Sequence, residues 1–183
     1  MHTGELDVVA TTEEGRVFAW DAHGGLLPGW PRTCDTGVSA PPIPRPALPY
    51  RRLPATGAAG GGPVLFDLGG GGQLDVIEAG WDGYIHVWRP DGSDLPGWPV
   101  KVNMPAGFVP DPGYVLIDDE KLDAPPAVAY LEGRAKSPDL VIRSQYTETL
   151  GSGLKAFPHA FVFAYHSDGS AVAGWPAKLP SLW

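Results

Sequence analysis

The sequence predicts an all-β chain made of repeated units of four antiparallel strands. The tripeptide Gly-Trp-Pro occurs three times, and its tryptophans, Trp30, Trp98 and Trp175, are 68 and 77 residues apart. Gly and Pro are abundant, with 25 and 21 residues, and Val/Ile/Leu-rich runs recur between them. Short apolar runs bounded by Gly and Pro turns are typical of strands. Because units of this kind repeat along the chain, the sequence favours a partial β-propeller of about three blades.

Each Gly-Trp-Pro tripeptide follows a predicted β-hairpin. An aromatic residue lies ten positions before the tryptophan in every repeat, and these residues are Trp20, Trp88 and Tyr165. The turns between the paired rings are His23-Gly24, Asp91-Gly92 and Asp168-Gly169. Asp-Gly favours a type I′ turn, because both central residues of that turn need a positive φ. We expect the second arm of each hairpin to run into the tripeptide, whose proline ends the outer strand because it has no N–H to donate.

Two further strands precede the hairpin in the repeat. One is predicted at 6–12, 74–80 and 138–144, and the other at 63–68 and 126–131. The first repeat has no counterpart of the strand predicted at 63–68 and 126–131, so the first repeat begins at the second strand of the unit. Asp75 precedes Trp88 by 13 residues, whereas Asp139 precedes Tyr165 by 26, which indicates an insertion in the third repeat.

The strand before each turn is apolar on both faces. Small or branched residues alternate there with mostly large rings, the small ones being Val17 and Ala19, Ile85 and Val87, and Val162 and Ala164. A sheet with one face in water alternates apolar and polar residues instead. The pattern therefore predicts sheets stacked between neighbouring sheets.

The alignment predicts six segments along the chain. They are an incomplete blade at 1–31 with strands 2–4, a Pro/Gly-rich connection at 32–62, a blade at 63–100, a connection at 101–124, a blade at 125–177 with the insertion near 144–160, and the start of a link to a next blade at 178–183. Closed propellers have four to eight blades. Two hypotheses stay open: the chain is a fragment of a longer propeller, or it is a natural partial propeller that closes by pairing.

The segment from Pro63 to Val100, "PVLFDLGGGGQLDVIEAGWDGYIHVWRPDGSDLPGWPV", resembles a blade of the FG-GAP/VCBS repeat β-propellers. That resemblance implies an extracellular, cell-surface or periplasmic protein, although no signal peptide is visible in "MHTGELDVV". It also implies a loop between the first two strands that binds calcium through several aspartates. Here Asp67 and Asp75 match the outer ligands, whereas Gly69 and Gly71 replace the inner ones. The two interpretations are a degenerate calcium site at Asp67 and Asp75, or plain turns in which Asp75 accepts backbone hydrogen bonds.

Charge and motifs exclude several function classes. A net charge of -8 argues against nucleic acid or an anionic membrane as the main partner. The sequence contains no run of eighteen apolar residues, so it predicts no membrane-spanning helix. A single cysteine, Cys34, excludes an internal disulfide and a CxxC metal site, and we interpret it as an incidental loop thiol. The five histidines form no metal-binding motif, and His86 is predicted to pack in the core.

The sequence therefore predicts a non-catalytic β-propeller repeat module for protein or glycan binding or for scaffolding, without a cofactor unless calcium binds. Its partners would be a protein or glycan ligand, or further blades of the same or another chain, including a homo-oligomer. One alternative is a half-propeller that assembles with itself. The other is a quinoprotein-like enzyme propeller, in which the tryptophans form a platform for a cofactor or a sugar.

Overall fold

The fold is all-β. The computed structural model describes residues 7–12, 14–34, 61–105, 114–117, 122, 124–150 and 156–180, and within them the chain forms three antiparallel sheets and no helix. The sheets follow one another along the sequence and do not close on themselves in this part of the chain. No helix that could span a membrane occurs among these residues.

The first two sheets share one plan. The first has the order β1-β2-β3, with strands β1 (Val8–Thr11), β2 (Arg16–Trp20) and β3 (Arg32–Thr33). The second has the order β4-β5-β6-β7, with strands β4 (Val64–Phe66), β5 (Asp75–Ala79), β6 (Tyr84–Trp88) and β7 (Val100–Lys101). The second sheet therefore has the four antiparallel strands that the repeat predicts.

The third sheet is larger. Its strands are β8 (Tyr114–Ile117), β9 (Ala127–Ala129), β10 (Asp139–Leu150), β11 (Ala156–His166) and β12 (Ala177–Lys178). Most of the inserted residues lengthen the β10–β11 hairpin, so that Thr149 still pairs with Ala156. The far end of β10 pairs with β8, a strand that lies in the predicted connection 101–124, and its near end pairs with β9.

The prediction that proline ends the outer strand is wrong. In all three sheets the outer strand starts directly after the proline, at Arg32, Val100 and Ala177. In the first two sheets these strands pair with the beginning of the preceding strand, as in the pairing of Val17 with Arg32, whereas β12 pairs with Phe161 and Val162 in the middle of β11. The Trp–Pro peptide bonds 30–31, 98–99 and 175–176 are cis. The tripeptide is thus a corner between the hairpin turn and the outer strand, and we call residues 29–31, 97–99 and 174–176 the corners.

The type I′ expectation for the hairpin turns is also wrong. Among the described residues no residue other than glycine has a positive φ, so the residue before each turn glycine does not adopt the conformation that this turn requires. Gly92 has a φ of 79°, and its N–H donates to the carbonyl of Arg89. One left-handed glycine after such a turn is typical of the three-residue hairpin loop with a bulge.

Two apolar cores lie between consecutive sheets. Val17, Ala19 and Trp30 of the first sheet pack with Val76 and Trp88 of the second. The opposite face of the second sheet packs on the third in a core that includes Ile77, Ile85, Val87, Leu140, Ile142 and Tyr165. The second sheet is therefore covered on both faces, which explains why every residue of β5 is buried.

Candidate functional site

The corners of the first and second sheets each contact the hairpin turn of the following sheet. The indole N–H of Trp30 donates to the main-chain carbonyl of Pro90 at 2.9 Å. In the next pair of sheets the indole N–H of Trp98 donates to the main-chain carbonyl of Ser167, also at 2.9 Å. We call each such contact, between a corner and the turn of the following sheet, a corner–turn junction.

Glycine is required on both sides of the junction. A Cβ atom on Gly29 would collide with the carbonyl oxygen of Asp91, and one on Gly92 would collide with the carbonyl oxygen of Gly29. Gly97 and the turn residues Asp168 and Gly169 repeat this arrangement in the second junction. The two backbones approach so closely that a side chain does not fit between them.

The predicted aromatic motif forms its ring contacts across the junction and not within one unit. Trp30 packs edge-on against Trp88 with ring centroids 6.1 Å apart, and Trp98 packs edge-on against Tyr165 at 6.5 Å. Trp30 and Trp98 are both 6% exposed. Burial raises the pKa of Tyr165 to about 12. The ten-residue spacing indicates the motif but not which sheet each ring contacts.

The turns are held by their own side chains. In the second and third turns an aspartate carboxylate accepts hydrogen bonds from the amide and the hydroxyl of a serine two residues later, as Asp91 does from Ser93. The hydrogen bond from the Ser93 hydroxyl has the largest effect in lowering the pKa of Asp91, and the one from the Ser93 amide has the next largest. Ser170 acts in the same way on Asp168. In the first turn Asp21, which sequence reasoning overlooked, accepts the amides of residues 23 and 25.

The two candidate calcium ligands flank one loop, with Asp75 as the first residue of β5, and both accept backbone hydrogen bonds. Asp67 accepts the amides of Gly71 and Gly72 at 2.9 Å. Asp75, which is 4% exposed, accepts the amide of Gly69. Burial raises the pKa of Asp75, while hydrogen bonds from the backbone of Gly69 and Leu68 oppose the shift. No group of three or more potential metal ligands occurs among the described residues.

The third sheet keeps this kind of loop contact and adds a second one. Asp139, at the position of Asp75, accepts the amide of Leu131, and its other oxygen lies 2.9 Å from Nδ1 of His166. This pairing links the start of β10 to the end of β11. Its sequence signal is weak, because the two residues are 27 positions apart.

A buried polar cluster lies between the first and second sheets. His86 is 4% exposed, stacks on Trp88 with ring centroids 5.1 Å apart, and places Nε2 3.1 Å from Oδ2 of Asp82. This confirms the prediction that His86 packs in the core. Cys34 lies directly after β3 and is fully buried, and burial, followed by the charges of Glu78 and Asp82, raises its pKa. Its thiol therefore stays protonated and is not an activated nucleophile.

An open cleft of about 390 Å³ separates the outer strand of the first sheet from the second sheet. Arg32 and Thr33 line one side of the cleft, and His86 and Asp94 line the other. A guanidinium nitrogen of Arg32 lies 3.6 Å from the Asp94 carboxylate in a partly exposed ion pair. The Nε of Arg32 is buried and has no hydrogen-bond partner in the described part of the chain.

Comparison of the sequence with protein-family models and with curated proteins finds no match. The likeness to FG-GAP/VCBS blades therefore depends on the motif residues alone.

Proposed function

We propose that the chain is a non-catalytic β-propeller repeat module that serves as a scaffold and binds a protein partner. The observation that supports this best is the corner–turn junction, which occurs twice with the same donor, the same acceptor group and the same pair of glycines. A contact that repeats between successive units stacks sheets in a regular order, as in repeat proteins. We extend this to a propeller arrangement of the sheets.

The use of the polar side chains agrees with a scaffold. Asp67, Asp75 and Asp139 accept hydrogen bonds from loop amides, and Asp91 and Asp168 each hold a turn. These carboxylates stabilise local backbone structure, which is a structural role. In agreement with the resemblance to secreted repeat proteins, we place the protein outside the cytoplasm.

The cleft between the first two sheets is our candidate for the binding surface. It combines the partly exposed Arg32 and Asp94 side chains with the apolar edges of the two corners. A partner carboxylate would accept from Arg32 and compete with Asp94 for it. The net charge of -8 opposes an acidic ligand at long range, but physiological salt screens charges beyond about 8 Å.

Fluorescence polarisation with labelled peptides tests this binding surface. We expect saturable binding of a glutamate-containing peptide at physiological salt, weakened about tenfold by Arg32→Ala and strengthened by Asp94→Ala. Arg134→Ala, which changes an exposed arginine in the loop between β9 and β10, is the matched control and leaves the affinity unchanged. A glycan array on the same variants serves as the competing assay. Binding of glycans alone, or peptide binding that is insensitive to Arg32, would contradict the proposal.

The cofactor- or sugar-platform alternative needs an indole face that a ligand can reach. Trp30, Trp88 and Trp98 are only 6%, 1% and 6% exposed, which disfavours a platform built on these three rings. A visible absorbance band after addition of pyrroloquinoline quinone, or quenching of tryptophan fluorescence by sugars, would support that alternative.

A further inference from the structure

We propose that the first and third sheets carry the two unfilled halves of another corner–turn junction, and that a second copy of the chain completes it head to tail. Each filled junction has a corner half, made of a Gly-Trp corner and a face of small residues, and a turn half, made of a hairpin turn and a face of larger rings. The second sheet presents both halves, one on each face, and both are covered.

The third sheet presents a corner half whose Gly-Trp corner is open. Val162 is partly exposed and Ala164 is buried, and both lie on the face of β11 opposite to Phe161, Phe163 and Tyr165, which pack on the second sheet. Trp175 follows at the position of Trp30 and Trp98, but it is only half-buried. Within the described residues its indole N–H donates to no carbonyl. A Cβ on Gly174 would meet no atom within 4 Å, whereas one on Gly97 would collide with the next turn.

The first sheet presents an open turn half. Phe18 and Trp20 lie on the face of β2 opposite to Val17 and Ala19, and they stack at 5.3 Å with nearly parallel rings. Around them Val8 and Leu26 are 55% and 47% exposed. A Cβ on Gly24, the turn glycine, would meet no atom within 4 Å, whereas one on Gly92 would collide with the preceding corner.

The two open halves complement each other chemically. The corner half lacks a main-chain carbonyl for Trp175 and an aromatic ring for its edge, and the turn half offers both, in the backbone before Gly24 and in Trp20. The corner half would also cover the exposed apolar residues of the first sheet, Val8 and Leu26. Exposed apolar patches of this kind mark interaction surfaces. A second copy is the occupant that the structure specifies, because both halves of the contact belong to this chain.

The contact is heterologous, since it joins different surfaces of the two copies. It does not depend on the binding function of the cleft, because none of the residues in either open half lines the cleft. A monomeric chain that still binds peptides through Arg32 would refute this inference alone, and an associating chain with no ligand would refute the proposed binding alone.

Sedimentation velocity over a range of protein concentrations tests the association. We expect the mass to rise from the monomer value of 19.4 kDa to at least twice that value. Gly174→Ala and Trp175→Ala should each raise the dissociation constant about tenfold or more, as substitutions at the centre of an interface do. Gly133→Ala is the matched control, because Gly133 also has a positive φ and open space around its Cβ but lies in the loop between β9 and β10 and belongs to neither half.

A mixing experiment tests whether the contact is head to tail. Gly24→Ala damages the turn half and Gly174→Ala damages the corner half, so each variant alone has only damaged junctions. An equimolar mixture can form one intact junction, between the corner of the Gly24→Ala copy and the turn of the Gly174→Ala copy. We expect the mixture to associate more tightly than either variant alone, with circular dichroism confirming that both are folded.

Two results would overturn the proposal. One is a wild-type chain that stays monomeric at all concentrations. The other is an association that Gly174→Ala leaves unchanged, or that mixing does not restore, because a symmetric patch or non-specific apolar contact would behave in that way.

Discussion

The indole N–H of Trp98 donates a hydrogen bond to the carbonyl oxygen of Ser167, 69 residues further along the chain. The same bond joins Trp30 to Pro90 over 60 residues. The tryptophan of a corner therefore connects two sheets. Its buried N–H donates to a main-chain carbonyl rather than to a side chain. The acceptor does not depend on the identity of a side chain, so the contact can recur between units whose turn sequences differ.

Substitution of Trp98 measures the worth of this contact. Trp98→Ala should lower the free energy of unfolding by about 3–5 kcal/mol, because the ring is buried between two sheets. Trp98→Phe keeps most of the ring but leaves the Ser167 carbonyl without its donor, and should cost about 1–3 kcal/mol. Trp81→Phe, at a ring that is 38% exposed, is the control and should change little. Urea unfolding measures all three, and a loss below about 1 kcal/mol for Trp98→Ala would indicate an exposed platform instead.

The single thiol reports on the first junction. Cys34 is fully buried and its pKa is raised, so iodoacetamide should modify it on the order of 10³-fold more slowly in native buffer than in urea. Gly29→Ala, which forces the first junction apart, should accelerate the reaction much more than Gly97→Ala, which acts on the second junction. Equal acceleration by the two variants would show that the sheets do not open separately, and fast native labelling would contradict the burial.

Asp75 should give a measurable pH dependence. Because burial raises its pKa above the ordinary value of 3.8, the folded chain holds this proton more tightly than the unfolded chain does. Stability from this group is therefore complete below the ordinary pKa, decreases as the pH rises through the folded pKa, and is constant above it. The stability difference between the wild type and Asp75→Asn, from urea unfolding between about pH 3 and about pH 7, should fall with pH. A difference that rises with pH would contradict the buried environment.

Calcium removal tests the loop that holds Asp67. The two carboxylate oxygens of Asp67 accept hydrogen bonds from the amides of Gly71 and Gly72, whereas calcium needs six to eight oxygen ligands. We therefore expect the thermal midpoint to stay within about 1 °C in EDTA or in millimolar calcium. A calcium-dependent rise that disappears in Asp67→Asn would instead establish the metal site that the resemblance implies.

The sequence predicts the local structure of the repeat well, because that structure depends on short-range patterns. Alternating small and large residues in β2, β6 and β11 predict strands with two apolar faces, and the two cores confirm this for β6. The spacing between rings predicts the three hairpins, all of which are present. The calcium and FG-GAP/VCBS interpretations stay predictions.

Contacts between distant segments could not be predicted from one sequence. Nothing local shows that Trp30 packs on Trp88, that β8 joins the far end of β10, or that Arg32 lies beside Asp94. The position of the outer strand after Pro99, rather than before it, was also hidden, because two-residue strands leave almost no pattern. These features depend on how the sheets pack on each other, and an alignment of three repeats carries no information about that packing.

The most direct test of the junction compares Gly97→Ala with Gly133→Ala by urea unfolding. The two glycines have nearly the same φ, 92° and 94°, so both substitutions carry the same backbone strain. A Cβ at position 97 would also collide with the Asp168 carbonyl of the next sheet, whereas one at position 133 has open space. We predict that Gly97→Ala costs about 1–3 kcal/mol more than Gly133→Ala. Equal losses in the two variants would contradict the close backbone contact on which the stacking of the three sheets depends.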